Sequence, residues 1–337
     1  MDFKNIREPL LQLAPMAGYS DSAMRAVCHA QGADYSVTEM ISAKAVTYKD
    51  KKTFSMAKIR PTEGAVGLQL FGNDPSVMAE AAGLISRGYC GLPGEPEKGE
   101  EEYLAPVAID INCGCPVKKI FGNGEGSALM GRPELIRDIV KATVCATVLP
   151  VTVKIRAGID GSHINAVECA LAAEEGGASL VCVHGRTREQ MYSGLADRAI
   201  IARVKSALRI PVLANGDIRC PEDGLAMLAE TGADGLAVGR GAVGNPFIFA
   251  GLRAILAGRE PVTPTLADRI ETALYQLRLS VEDKGEAVAV NECRKQIGEY
   301  LHGYRGSATL RGIINKCQRY CEVESAMIEY RRNYECQ

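Results

Sequence analysis

Short apolar runs, most of them followed by an amphipathic stretch, recur eight times between the N-terminus and about residue 250. Repeated βα units of this kind build a parallel sheet, whose strands are covered on both faces and read as nearly continuous apolar segments. The runs are Leu10 to Pro15, Ala33 to Glu39, Ala65 to Leu70, Val107 to Asn112, Val151 to Ile155, Leu180 to His184, Val212 to Asn215 and Gly235 to Val238. Between them, Pro133 to Val148 reads as a helix with Pro133 in its first turn and Leu135, Ile136, Ile139 and Val140 on one face. Pro221 to Thr231 reads as another, stopped by Gly232. Eight such units predict a TIM (β/α)8 barrel, with its functional groups at the C-terminal ends of the strands. A doubly wound sheet is the competing arrangement, but no G-x-G-x-x-G follows the first run, where the turn is Ala14-Pro15-Met16-Ala17-Gly18.

The remaining composition bounds the partners. A chain of 337 residues, 47% hydrophobic and 24% charged, has sequence enough for a full core and excludes a disordered, collagenous or rod-like protein. Lys+Arg 39 against Asp+Glu 41 gives a net charge of -2, so any nucleic-acid contact must come from a local basic face. The start shows no basic segment leading into an apolar one, and no run approaches the roughly 18 residues of a membrane helix, so a soluble, cytoplasmic protein is expected. Twelve scattered cysteines read as reduced thiols, without disulfides. The Gly-, Pro- and Glu-rich segment Tyr89 to Tyr103 reads as an exposed, mobile loop. After Gly258 the character changes: REPVTPT is a linker, and from Leu266 onward helical periodicity dominates. Two domains follow, a barrel over 1–258 and an all-helical one over 265–337. The latter carries Arg294, Lys295, Arg305, Arg311, Lys316 and Arg319 against only Glu292 and Glu299 between Asn291 and Tyr320.

The distinctive chemistry lies at the strand ends. The fourth run leads into Asn112-Cys113-Gly114-Cys115-Pro116, a turn that would hold a thiol over the barrel mouth. Cys113 reads as an ordinary small core residue. Cys115, held extended before Pro116, suits a proton donor or nucleophile. No second cysteine or histidine pair at metal-ligand spacing accompanies Cys113 and Cys115, so a metal is not expected. The next four ends read Lys154-Ile155-Arg156, His184-Gly185-Arg186-Thr187-Arg188, Asn215-Gly216-Asp217 and Gly239-Arg240-Gly241. One such Lys, Arg or His is ordinarily a solvated charge or a structural group, whereas four polar ends in succession point to a site. Glycines after the last two runs match the phosphate site that barrels build there. With Gln69 at the third strand end, the mouth offers amide, ammonium and imidazole groups to a planar, carbonyl-rich, phosphorylated cofactor, a description that flavin mononucleotide (FMN) fits.

Taken in order, LAPMAGYSD, GLQLFG, DINCGCPVKKIFGNGEGSALM, VTVKIRAG, VHGRTREQMYSG, VLANGDI and GADGLAVGRGAVGNPFIF resemble the tRNA-dihydrouridine synthase family, and its bacterial B-type branch in particular. The likeness runs from residue 11 to about residue 249, and the region after 265 is similar to that family's helical tRNA-binding domain. The resemblance implies FMN on the mouth, with Pro15, Met16 and Ala17 under the ring, Gln69 and Lys154 at its polar edge, His184 nearby, and Asn215, Gly216, Asp217, Gly239 and Arg240 toward the phosphate. It implies reduction of the flavin by NADPH, with NADH as an option, then hydride transfer to C6 of a tRNA uridine and protonation of C5 by Cys115. A uridine in folded tRNA must be extracted to reach such a site. Lys118, Lys119, Arg156, Arg186 and Arg188, expected in mouth loops, would hold phosphates or the uracil edge, and Arg294, Lys295, Arg305 and Arg311 would add sequence-independent affinity. The partner is tRNA, with no membrane and no obligate protein partner. In two places the chain departs from the family pattern: Cys113 stands where an apolar residue is usual, and the Glu-rich loop is long.

Two other readings compete. A free-standing FMN barrel of the dihydroorotate dehydrogenase kind shares the barrel, flavin and pyrimidine chemistry but has no use for a basic helical appendage. An inactive RNA-binding barrel would have no use for Cys115, Lys154 and His184 together.

Overall fold

Eight parallel strands close on themselves in the computed structural model, which describes residues 1–88 and 103–335. Tyr89 to Tyr103 lies outside the described residues except for Tyr103. The strands are β1 (Leu10–Leu13), β2 (Tyr35–Val37), β3 (Ile41–Ser42), β4 (Val66–Phe71), β5 (Ala108–Cys113), β6 (Val151–Arg156), β7 (Leu180–His184), β8 (Val212–Asn215) and β9 (Gly235–Val238). β3 is a two-residue addition that pairs only with β4, and sequence periodicity does not reveal it. The others run β2-β1-β9-β8-β7-β6-β5-β4, and the β2–β4 pairing, Ser36 to Val66 and Val37 to Gly67, completes the ring. The TIM barrel expected from the eight runs is thus present.

Closure sorts side chains by parity, because successive residues of a strand point to opposite faces. Leu68, Leu70, Ile109, Ile111, Val153, Ile155, Val181 and Val183 face outward and join one apolar cluster with the surrounding helices. Leu10, Tyr35, Val37, Ala108, Leu180, Cys182, Leu213 and Ala237 face inward and form a second cluster. Phe3 meets Tyr35 edge-on there, with ring centroids 5.4 Å apart. Gly67 makes room for Tyr35: a Cβ at Gly67 would lie 2.0 Å from the phenol oxygen.

Helices follow the strands. Asp21, Asp74 and Asp197 cap Ser22–Ala30, Pro75–Ser86 and Arg198–Ala207 by accepting from the N–H groups of Met24, Ser76 and Ile200. The helix read as ending at Val148 stops two residues earlier, at Ala146. Pro221–Thr231 matches its expected span and ends on Gly232 in the left-handed conformation.

Beyond the barrel, helices Leu266–Lys284, Glu286–Glu299, Ser307–Ile314 and Tyr320–Glu335 build their own apolar cluster, which includes Ile270, Leu277, Ile297, Tyr300, Leu310 and Met327. A satisfied polar chain crosses it: Tyr300 donates to Gln276 Oε1 at 2.6 Å and Gln276 Nε2 donates to Gln296 Oε1 at 2.8 Å. Among the described residues no helix is long and apolar enough to cross a membrane.

The two regions meet at defined points. Lys284 Nζ reaches Asp21, the cap of the first barrel helix, at 2.7 Å. Gly244, at φ +66°, lies so close to the second region that a Cβ would fall 2.4 Å from the Glu299 carbonyl carbon and 2.6 Å from the Tyr300 nitrogen. Gly244→Ala is therefore expected to cost about 1–3 kcal/mol through strain and overlap. Chemical denaturation checks it, and a variant as stable as the wild type would show that the junction yields without cost.

Candidate active site

Parity brings Gln69, Asn112, Lys154, His184 and Asn215 to the inner face of the barrel toward the C-terminal ends of β4 to β8, with Asp110 one inward position below Asn112 on β5. Lys154 Nζ donates to Asn215 Oδ1 at 3.0 Å, and Asn215 Nδ2 donates to the Ala237 carbonyl at 2.6 Å. Burial lowers the Lys154 pKa below the usual lysine value. Burial also drives His184 far down, helped by the charges of Lys154, Arg156, Arg186 and Arg240, so its imidazole is neutral across the physiological range. It serves as a hydrogen-bonding group, not a cation.

The segment after β5 is fastened from several sides. Asn112 Oδ1 accepts from the N–H of Gly114 at 3.2 Å and of Cys115 at 2.9 Å. The Cys115 carbonyl accepts from Ser127 Oγ at 2.7 Å, and Arg156 Nε donates to the Gly114 carbonyl at 2.7 Å. Cys115 is half-buried in this cradle. Burial raises its thiol pKa, outweighing a backbone hydrogen bond at Val117 and the Arg156 charge, so the thiol holds its proton at neutral pH. Cys113 faces the opposite way, buried in the apolar cluster outside the barrel.

Opposite this segment, the turn after β8 places Gly216 at φ +129° and Asp217 at φ +51°. A Cβ on Gly216 would lie 2.5 Å from Ala196 Cβ, so the turn requires glycine. Asp217 takes Arg186 Nη2 at 2.8 Å and the Ala196 N–H at 2.8 Å, with Arg219 and Arg240 each 3.9 Å away. Burial works to raise the Asp217 pKa, but these bonds and charges hold it below the usual carboxylate value. Three guanidinium groups around one carboxylate leave a positive surplus. The side chains of Arg240 and Arg219 are 50% and 73% exposed and so open to an anion. Arg240 also stacks on Tyr192 at 4.6 Å.

The structure corrects the placement of two of the expected RNA contacts. Arg156 is no loop residue: it ends β6, is 4% exposed, and spends its guanidinium on the carbonyls of Gly114, Thr187 and Met191. Arg186 is fully buried and holds Asp217 together with the carbonyls of Ser193 and Gly194. Arg294 is half-buried, with Nη2 tied to the Cys317 carbonyl at 2.7 Å. Lys118 and Lys119 are exposed on the short helix Lys118–Gly122, and Arg188 lies half-buried over the Phe121 ring at 4.1 Å. Arg305 is exposed, Arg311 half-buried against Gly298, and Lys295 reaches across to the Tyr19 ring at 4.3 Å. Pro15 and Met16 are half-buried and Ala17 exposed on the first strand-to-helix turn, with Met16 Sδ 3.5 Å from where a Gly239 Cβ would stand.

Sequence reasoning left Asp110, Asn112, Tyr192 and Arg219 without roles. For the first two a cue existed: they are polar at alternate positions of the apolar run Ala108–Cys113, the pattern of a strand lining a barrel interior. Arg219 and Tyr192 join the site only through loop conformation.

A parallel barrel with a protonated thiol, a buried ammonium and a neutral imidazole at its C-terminal mouth, and an anion-accepting turn beside them, defines a TIM-barrel enzyme. Residues 12–92 and 98–334 match the family described as dihydrouridine synthase (Dus), and the chain belongs to that family. It is 36% identical over 327 residues to tRNA-dihydrouridine synthase B of Xanthomonas axonopodis pv. citri, an alignment covering 97% of this chain and 92% of that one. To tRNA-dihydrouridine synthase B of Shewanella oneidensis it is 37% identical over 321 residues, covering 95% and 94%. The fold is shared with histamine dehydrogenase from Rhizobium sp. 4-9 at a TM-score of 0.53 and 14% identity, over 80% of this chain and about half (49%) of that longer one.

Because burial raises the Cys115 thiol above the usual 9.0, its alkylation by iodoacetamide should accelerate with pH around a midpoint above that value. Mass spectrometry of the Cys115 peptide across a pH series reads this, and a midpoint at or below 9.0 would contradict the assigned environment.

Proposed function

We propose that the chain reduces the 5,6 double bond of uridines in tRNA to dihydrouridine, with FMN as its cofactor and NADPH as reductant, in the cytoplasm. The observation that carries the reading is Cys115: a thiol kept protonated by burial, on a fastened segment that follows β5 at the mouth where Gln69, Lys154, His184 and Asn215 lie on the neighbouring strands. The family and the names of its relatives supply the reaction class.

The residues present fit a flavin. Gln69, Lys154 and His184 offer donors to the polar edge of a planar carbonyl-rich ring, and Pro15, Met16 and Ala17 offer a surface beneath it. Gly216 and Gly239 expose backbone beside Asn215, Asp217 and Arg240, where the positive surplus suits a phosphate. Bound there, the flavin would supply hydride to C6 of the uracil after reduction by the nicotinamide cofactor.

The chain's own residues do the rest. Addition at C6 makes C5 basic, and Cys115 delivers its proton to C5, a role that needs the thiol and not the thiolate. Lys154, desolvated next to Asn215, places positive charge at the mouth where negative charge develops. Lys118, Lys119 and Arg188 border the mouth and, with Lys295, Arg305 and Arg311, form a basic path for phosphates that draws the extracted nucleotide toward the site. Arg156 and Arg186 serve that path indirectly, as the buried braces of the loops that form it.

The test is anaerobic. The purified protein is expected to carry flavin absorbance that NADPH bleaches and that tRNA lacking dihydrouridine restores. Restoration by orotate alone would favour the small-molecule pyrimidine reading, and a protein that neither carries nor accepts FMN would refute the proposal. Cys115→Ala is expected to keep flavin binding and bleaching while losing about 100-fold or more of the tRNA turnover, the factor a positioned acid contributes. Full turnover in that variant would remove Cys115 from the reaction.

A further inference from the structure

A run of hydrogen bonds climbs from the barrel interior to the Cys115 segment. At its foot, Asp110 accepts from Thr152 Oγ1 at 2.5 Å and from Gln69 Nε2 at 2.7 Å. Gln69 Oε1 accepts from Asn112 Nδ2 at 2.8 Å. At the top, Asn112 Oδ1 accepts from the N–H groups of Cys115 and Gly114. Asp110, Gln69 and Asn112 are all buried.

Every bond in this run points the same way, toward Asp110, and both ends enforce the direction. A backbone N–H can only donate, so Asn112 must present its oxygen to the Cys115 segment. Its nitrogen then faces inward, where it meets Gln69 Oε1 and, at 3.7 Å, the weakly accepting Met40 Sδ. Gln69 must in turn present its nitrogen downward, and Asp110 Oδ2 accepts it. Rotating either amide by half a turn would set donor against donor or acceptor against acceptor among buried groups, at the cost of an unmade buried bond. Thr38 Oγ1 holds the Gln69 backbone N–H at 3.0 Å, so the strand itself has little freedom to adapt.

We propose that Asp110 is a positioning residue for the reaction: by accepting from Gln69 it locks the orientation of the Gln69 and Asn112 amides, and so holds the Cys115 segment in its reactive place. The inference rests on Cys115 as proton donor for its effect on turnover, but its effect on the Cys115 segment does not depend on that reading.

Two substitutions separate bond direction from other roles. Asp110→Asn can offer its oxygen to Gln69 and its nitrogen to Thr152 Oγ1, so the run survives; Asp110→Val ends it. In the full-length protein as purified, without tRNA, Cys115 alkylation should stay within about twofold of wild type in D110N. It should rise about fivefold in D110V, the factor of one ordinary net hydrogen bond. With tRNA, kcat should fall about fivefold in D110V with KM unchanged and be retained in D110N. A residue that only fills the core would lower stability in both variants without this split. D110N as defective as D110V, or D110V with unaltered Cys115 alkylation, would overturn the proposal. Should D110V fail to fold, Asp110→Ala removes the same acceptor with less bulk and is read by the same alkylation measurement, where no rise overturns it equally. The predicted alkylation pattern in a protein inactive on tRNA would refute the proposed function and leave the positioning role standing.

Discussion

Closing the barrel through the β2–β4 pairing is the constraint on which the site depends. Once eight strands form a ring, every second side chain must point into a space that only a few residues can fill. Low in the barrel that space takes Leu10, Tyr35, Leu180 and Leu213, and near the C-terminal mouth it takes Gln69, Asn112, Lys154, His184 and Asn215. The same parity that puts Ile109, Ile111 and Cys113 into the outer core puts Asp110 and Asn112 into the inner one. Parity thus places Cys113 in the outer core, whereas Cys115 lies beyond the end of the strand and is half-buried in the turn that follows.

Burial then sets the protonation states. Cys115 is raised, and Lys154 and His184 are lowered, chiefly because charge is costly away from water. At neutral pH the thiol therefore keeps its proton and the imidazole is uncharged. Positive charge is concentrated instead at the rim, where Arg219 and Arg240 remain partly in solvent around Asp217. Arg186, wholly inside, pays for its burial with bonds to Asp217 and two carbonyls.

The junction with the helical region carries the second half of the design. Asp21 caps the first barrel helix and receives Lys284 from the helical region, so a local capping group is also an inter-region ion pair. Gln296 Nε2 reaches the Gly18 carbonyl at 3.5 Å and Lys295 covers Tyr19, both on the turn after β1. The turn expected to lie under the cofactor is thus braced by the helices expected to hold RNA.

The repeat of apolar runs, the glycine-marked turns and the motif around Cys115 were legible in the chain because strand burial and turn geometry are local demands, met residue by residue. Pro221 to Gly232 is an instance in which both ends of a helix could be read from two residues. What Arg156 and Arg186 do was not legible, since a guanidinium looks the same in sequence whether it faces solvent or braces a carbonyl from within. The partners that decide the matter lie up to 42 residues away for Arg156 and 31 for Arg186. The direction of the amides at Gln69 and Asn112 is of the same kind. Sequence alone determined the eight barrel strands, their turns and the position of the Cys115 motif, whereas burial, charge state and hydrogen-bond direction arose only when ring closure brought side chains from distant strands within 3 Å of one another in a buried interior.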